Sequence, residues 1–135
     1  MRTLIAAIGG AALFALSSGN AAPGAEFITF NRTLLDTQFV DIGASGPTRG
    51  DSTISRWRVL SRSGRSIGDG HEVCRLTSPS ARLCTGVYTL AGGDLIYEGI
   101  PRTGKYLAVT GGTENYRGVS GQLAVNGRTV IISIR

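Results

Sequence analysis

Short runs of β-forming residues, in which apolar and polar positions alternate, recur along the chain after residue 22. Gly, Pro, Asn, Asp or Ser separates consecutive runs, and no amphipathic pattern of ten or more residues predicts a helix. Eight or nine short strands of this kind are typical of a β-sandwich or a closed β-barrel. The predicted strands cover residues 26–34, 37–41, 51–61, 66–76, 82–90, 94–100, 105–111, 117–125 and 128–134.

The last two predicted strands form a hairpin. Asn126-Gly127 between two β-rich runs is a strong signal for a two-residue turn. Such a turn pairs Val125 with Arg128 and places one set of side chains on a common face. The predicted face contains Leu123, Val125, Val130, Ile132 and Ile134.

Four structural glycines lie in the segment VTGGTENYRGVSGQL: Gly111, Gly112, Gly118 and Gly121. A phosphate-binding loop needs a helix directly after its glycines, whereas another β-rich run follows here. Glycines inside strands instead supply the bends by which a small sheet coils and closes. We therefore expect an all-β fold, and a closed antiparallel barrel rather than a flat sandwich.

One long irregular connection, residues 43–50, is predicted to cross an end of the sheet. Asp41 and Asp51 flank it. Two carboxylates there could act in acid–base chemistry or bind a cation. We favour the alternative that they brace the loop through hydrogen bonds to its backbone.

Residues 1–22 have the pattern of a secretory signal peptide, which leaves residues 23–135 as a single β-barrel domain. Arg2 precedes the apolar run 3–16, and small residues mark a cleavage point near Ala21 or Ala22. A membrane anchor is the alternative, but the run is shorter than the roughly 20 residues that a spanning helix needs. We expect a secreted or periplasmic protein without stable membrane insertion after cleavage.

The chain contains two cysteines, Cys74 and Cys84, on either side of the segment RLTSPSARL. If Ser78-Pro79-Ser80 forms the loop of a hairpin, Cys74 faces Cys84 directly, at a separation that a disulfide accepts. Export to an oxidising compartment favours that disulfide. Two free thiols are the alternative.

The chain carries 14 Lys and Arg against 9 Asp and Glu, a net charge of +5. These charges are spread out, and a single lysine is present, so the basic balance does not indicate nucleic acid. A solvated basic surface explains it, with Arg56, Arg58, Arg62 and Arg65 as one local cluster.

The segment GKYLAVTGGTENYRGVSGQL resembles the signature of the allene oxide cyclase and dirigent superfamily. Gly50-Asp51, IGDGHEVC (67–74) and GVYTLAGGDLIYEG (86–99) follow the order of that superfamily's other landmarks. The resemblance implies an eight-stranded antiparallel closed barrel with an apolar cavity. In that cavity a reactive hydrophobic intermediate is held in one conformation while it cyclises or couples. Barrels of this family often assemble as trimers or dimers, so a homo-oligomer is compatible with the resemblance.

The resemblance aligns Asn31, Trp57, Cys74 and Tyr88 with positions that face the cavity. We take Asn31, Trp57 and Tyr88 as the ligand-binding candidates, because a disulfide removes Cys74 from the chemistry. Trp57 and Tyr88 could equally fill the barrel or satisfy a neighbouring strand, and Asn31 could lie at an exposed strand end. Thr29 stands where allene oxide cyclases have a glutamate, and an unionised hydroxyl cannot do that carboxylate's electrostatic work. Glu114 stands where the signature has a glycine.

His71 is the single histidine, so a metal site built from several imidazoles is not predicted. No nucleophile motif of the G-x-S-x-G type accompanies it, and an exposed strand position explains it better. No motif implies a cofactor, and no residue is assigned a catalytic role. The sequence thus predicts a barrel that binds a small hydrophobic molecule and guides its cyclisation or coupling, as an isomerase-like or dirigent-like protein. The alternative is a non-catalytic barrel that acts as a carrier or as a protein-binding module of the inhibitor or adhesion type.

Overall fold

The computed structural model describes residues 24–102 and 104–135. The predicted signal peptide, residues 1–22, lies outside the described residues. Within them, no helix is long and apolar enough to cross a membrane. Eight strands and one short 3₁₀ turn account for the regular structure: β1 (Glu26–Val40), β2 (Ser52–Leu60), β3 (Ser66–Ser78), β4 (Ala81–Leu90), β5 (Gly93–Gly99), β6 (Leu107–Gly112), the turn Glu114–Tyr116, β7 (Gly121–Asn126) and β8 (Thr129–Ile134).

The strands form a closed antiparallel barrel in sequence order, in which β8 pairs back onto β1. The predicted eight-stranded barrel is therefore confirmed. The strand lengths explain the closure, because the first half of β1 pairs with β8 and its second half pairs with β2. One end of the barrel, which we call the mouth, carries the connections 41–51, 79–80, 100–106 and 127–128.

The two strands predicted over 26–34 and 37–41 are a single strand, β1. Its pairing with β2 shifts register between Leu34 and Asp36, so Leu35 is the extra residue of a β-bulge. The bulge interrupts the apolar–polar alternation, and the sequence pattern therefore suggested a break.

The register predicted for the last hairpin is wrong. Asn126 pairs with Thr129, so the two turn residues are Gly127 and Arg128. Gly127 has a φ of 58°, the left-handed conformation that glycine adopts without strain. The true register differs from the predicted one by two residues, which leaves the face unchanged. Leu123, Val130, Ile132 and Ile134 are buried in the core, whereas Val125 at the mouth is exposed.

The hairpin of β3 and β4 places Cys74 opposite Cys84, and a disulfide joins them, as predicted. Its loop is shorter than the predicted one, because Ser78 pairs with Ala81. A register shift between Leu76 and Ser78 restores the cysteine pairing.

The predicted structural glycines have different surroundings. A Cβ on Gly112 would overlap the Asp94 carbonyl oxygen, and one on Gly121 would overlap the Ser133 carbonyl oxygen. Gly118 has a φ of 76°, and Gly111 has open space where a Cβ would lie.

Asp51 braces the connection between β1 and β2 from a fully buried position. The backbone N–H groups of Ile42 and Thr48 donate to its two carboxylate oxygens, each at 2.7 Å. These hydrogen bonds, that from Ile42 first, hold the pKa of Asp51 below its ordinary value of 3.8. The bracing role favoured from the sequence is present for Asp51.

We expect Asp51→Asn to lower the melting temperature at pH 7, because the amide cannot accept from both backbone N–H groups. The lowered pKa means that this stabilisation is present above the unfolded-state pKa and is lost as the pH falls through the folded-state pKa. The difference between wild type and variant, measured by circular dichroism, should therefore shrink in acid. Asp41→Asn, at the exposed other end of the loop, is the matched control; an equal loss there would contradict the assignment.

Glu114 has a φ of 51° and is the one non-glycine residue of the described ranges with a positive φ. The loop thus has the left-handed residue at the position where the superfamily signature has a glycine. Such a conformation costs a residue with a Cβ about 1–2 kcal/mol.

We therefore expect Glu114→Gly to raise the free energy of unfolding by up to about 1 kcal/mol, since glycine's larger unfolded-state entropy offsets part of the relieved strain. Glu114→Ala keeps the Cβ and should leave stability unchanged within about 0.5 kcal/mol. Urea denaturation of the three proteins gives these values. A gain in the alanine variant equal to that in the glycine variant would show that strain is not the cause.

Candidate functional site

The interior of the barrel changes character toward the mouth. On three neighbouring strands a buried inward residue is followed, two positions closer to the mouth, by a half-buried polar or aromatic one. These successions are Phe30 to Arg32 on β1, Val59 to Trp57 on β2 and Gly70 to Glu72 on β3. Arg32, Trp57 and Glu72 are thus half-buried inside the barrel, with buried residues on both sides of Trp57 and Glu72 along their strands. We call these three residues, with Tyr88 and Tyr97 beneath them, the bowl.

Tyr88 and Tyr97 form the floor of the bowl and are 0% and 1% exposed. Their rings stack with centroids 5.2 Å apart, and the ring of Phe30 meets Tyr88 edge-on at 4.9 Å. Such offset and edge-on arrangements are the favoured ones for aromatic pairs. The floor is thus a packed aromatic layer above the apolar core.

Two glycines make room for the tyrosine rings. A Cβ on Gly70 would lie 2.8 Å from the Tyr88 ring, and a Cβ on Gly86 would overlap the Tyr97 ring. The absence of a side chain at these positions lets each ring lie flat across the neighbouring strand.

Arg32 is held on two sides. Its Nη1 donates to the Tyr88 hydroxyl at 2.9 Å, and its guanidinium carbon lies 3.9 Å from the centroid of the Trp57 ring. The stacked geometry is a cation–π contact, which is strongest with tryptophan. Arg32 therefore has one preferred position inside the barrel.

On the other side of the bowl, the Tyr97 hydroxyl donates to Oε2 of Glu72 at 2.8 Å. Burial raises the pKa of Tyr97, and its neighbours Tyr88 and Glu72 add to the rise. Burial also raises the pKa of Tyr88, against the opposing effect of Arg32. Both phenols are therefore neutral at physiological pH and offer hydroxyl groups rather than phenolates.

Two nitrogens of the bowl have no hydrogen-bond partner among the described residues, although solvent does not reach them: Nε of Arg32 and Nε1 of Trp57. Buried donors in proteins almost always have an acceptor. The two unpartnered donors belong to two side chains that stack on each other.

Of the three predicted ligand-binding residues, Trp57 and Tyr88 lie together inside the barrel. Asn31 does not lie with them. Asn31 alternates with the inward-facing Phe30 and Arg32, and its Oδ1 accepts from the Thr129 hydroxyl at 3.0 Å on the outer face. Thr29, at the glutamate position of the resemblance, has the same outward parity. The inward polar residue of β1 is Arg32, one position later.

Arg32, Glu72 and Tyr97 were not among the sequence candidates. Glu72 and Tyr97 could have been found from parity, because Glu72 lies two residues from Cys74 on β3, and Tyr97 of β5 pairs with Gly86 of β4, two residues from Cys84. Arg32 was harder to find from the sequence, because only the pairing of β1 with β8 and β2 shows which residues of β1 face inward. His71 is exposed on the outer face of β3, as predicted.

Glu72 also lies next to the disulfide: its carboxylate and the sulfurs of Cys74 and Cys84 are within 4.8 Å of one another. Because both sulfurs are bonded to each other, they are not thiolate ligands. These three side chains therefore do not make a metal site.

The mouth has a basic rim. A cavity of about 320 Å³ there has Leu107 and Leu123 on its apolar floor, with Arg82, Arg102 and Lys105 around it. A second cavity of about 530 Å³ shares Arg82 and Arg102 and reaches the 79–80 turn. Three cations around one opening create a positive potential that attracts anions.

No family model matches the chain, and no curated protein does. Solved structures do match. A pyocyanin demethylase superposes with a TM-score of 0.71 at 20% identity, covering 82% of this chain and 100% of that one. The Diels Alderase AbmU from Streptomyces koyangensis has a TM-score of 0.56 at 13% identity, covering 82% of this chain and 63% of its own. A nonspecific heme-binding cyclase of neoabyssomicin biosynthesis, which catalyses a (4 + 2) cycloaddition, has a TM-score of 0.54 at 10% identity, covering 82% and 66%. The chain spans about two thirds or less of the last two proteins. At these identities the likeness shows the barrel fold.

We expect Gly86→Ala to lower the free energy of unfolding by about 1–3 kcal/mol, because the new methyl group must displace the Tyr97 ring. Gly111→Ala, also in a strand but with open space, should be neutral within about 0.5 kcal/mol. Thermal unfolding compares the two variants. Equal behaviour of both would contradict the close packing of the bowl floor.

Proposed function

We propose that this protein is an exported barrel that binds a small hydrophobic, unsaturated molecule in the bowl and guides its cyclisation or coupling. In this respect it would act like the allene oxide cyclases and dirigent proteins that its sequence resembles. The observation that carries the proposal is the half-buried polar and aromatic group inside the barrel, where a filled barrel would have a continuous apolar core.

The bowl has the surfaces that such a reaction needs. Trp57 and the two stacked tyrosines offer flat aromatic faces, against which a conjugated ligand packs. The neutral hydroxyls of Tyr88 and Tyr97 and the charged groups Arg32 and Glu72 orient it by hydrogen bonds. Restricting a flexible molecule to one reactive conformation, away from water, accelerates an intramolecular reaction without a nucleophile.

The structural neighbours support the proposal by analogy. One is a Diels Alderase and another a cyclase of a cycloaddition, so this fold accommodates ring-forming chemistry elsewhere. Fold alone does not carry function between proteins, and the argument therefore rests on the bowl.

The alternative is the same barrel as a carrier, or as a protein-binding module that uses its outer arginines. Arg56 and Arg58 are indeed exposed on the outer face of β2. They lie opposite Asp36 and Asp69 of the neighbouring strands, which weakens the positive potential there. This placement favours the bowl over the outer face.

Trp57 fluorescence of the protein from residue 23 onward tests the proposal, since Trp57 is the single tryptophan. We expect saturable quenching or a blue shift with members of a panel of unsaturated fatty-acid derivatives, polyketides and phenylpropanoids. Tyr88→Phe should weaken binding by about 10-fold through loss of the hydroxyl that positions Arg32.

Tyr106→Phe, an exposed tyrosine, is the matched control and should bind as wild type does. No response across the panel would overturn the proposal. A response without product formation would support a carrier instead of an enzyme.

A further inference from the structure

We infer that Arg32 and Trp57 form a two-donor subsite for a delocalised oxyanion, and that the ligand of the bowl is therefore a planar conjugated molecule bearing such a group, as in a carboxylate. This inference rests on the proposed function, because it names the class of molecule that the bowl accepts.

The two unpartnered donors carry the inference. Nε of Arg32 and Nε1 of Trp57 are out of contact with solvent and have no acceptor in the described part of the chain. Proteins rarely leave buried donors without a partner, and such groups mark a place where a ligand or ion completes the hydrogen bonds. Two donors on a pair of stacked side chains suit a group that has two acceptor oxygens.

The donors are already in place before a ligand arrives. The Tyr88 hydroxyl holds Arg32 through Nη1, and the guanidinium lies 3.9 Å from the centre of the indole ring. Because both nitrogens are out of contact with solvent, a ligand must displace part of their surroundings before it accepts from them. Fixed positions of Arg32 and Trp57 still favour binding, because these two side chains lose less conformational freedom when a ligand binds.

The charge of Arg32 decides between an anionic and a neutral acceptor. Its hydrogen bond goes to a neutral phenol, and Glu72, the acidic residue of the bowl, accepts from Tyr97 instead. The positive charge is therefore not paired within this group of residues. A carboxylate would supply the missing negative charge as well as the two acceptors.

The mouth supports the same class of ligand. Arg82, Arg102 and Lys105 surround an opening with an apolar floor. A molecule that is both hydrophobic and negatively charged would be attracted there before it enters the barrel.

The test compares cinnamate with cinnamyl alcohol, two planar conjugated probes that differ in the charged group. Isothermal titration of the protein from residue 23 onward should give cinnamate an affinity about 10-fold higher, the ratio expected for a good charge-assisted contact. Arg32→Gln should weaken cinnamate binding more than cinnamyl alcohol binding and so remove that preference, since only the anion uses the lost charge. Arg56→Gln, on the outer face, should keep the preference.

A second readout does not depend on a variant. The single tryptophan gives one indole N–H signal in a ¹⁵N-correlated NMR spectrum. Cinnamate should move that signal downfield as Nε1 gains an acceptor, and cinnamyl alcohol should not.

Equal affinities for the two probes, or a preference that survives Arg32→Gln, would overturn the oxyanion subsite while leaving the bowl as a ligand site. Failure of both probes, together with no response to the wider panel, would overturn the proposed function as well. The two failures are therefore distinguishable.

Discussion

Strand parity in a closed barrel is the constraint on which the whole site depends. Each strand sends alternate side chains inward, and closure of β1 onto both β8 and β2 allows one register for all eight strands. A shift of one residue in β1 would bring Asn31 inside and turn Arg32 out to solvent. The pairings of β1 with its two neighbours therefore decide which polar residue meets Trp57.

The barrel interior combines two kinds of packing that oppose each other energetically. Leu95, Ile132 and Ile134 belong to an apolar core that stabilises the fold. Arg32 and Glu72 nearby are charged groups inside the barrel, which is unfavourable unless each finds partners. Tyr88 and Tyr97 provide those partners and at the same time belong to the aromatic core. The two tyrosines thus connect the apolar part of the interior to its polar part. Charged residues inside a barrel depart from ordinary core packing, and such departures are typical of functional sites.

Small residues shape the bowl as much as large ones do. Gly70 and Gly86 have regular strand conformations and make space for aromatic rings rather than turns. In contrast, Glu114 has a left-handed backbone conformation at a position where the signature that the sequence resembles has glycine. A residue with a Cβ thus has a conformation that favours glycine, in a loop at the end of the barrel opposite the mouth.

The sequence by itself determined the features that depend on local pattern: the all-β fold, the hairpin that brings Cys74 to Cys84, and the bracing of a loop by Asp51. The resemblance aligned Trp57 and Tyr88 with cavity-facing positions, and for Trp57 the alternation with Arg56 and Arg58 supported an inward side chain. Only the tertiary structure decided which residues of β1 face inward and which residues pair in the last hairpin. The bulge at Leu35 interrupts the alternation of β1, so the sequence pattern does not show its inward face. In the last hairpin, a register shifted by two residues buries the same face, so the pattern fits both registers equally well. The site itself was beyond local pattern, because Arg32, Glu72 and Tyr97 lie far apart in the chain, and closure of the barrel is what brings them together.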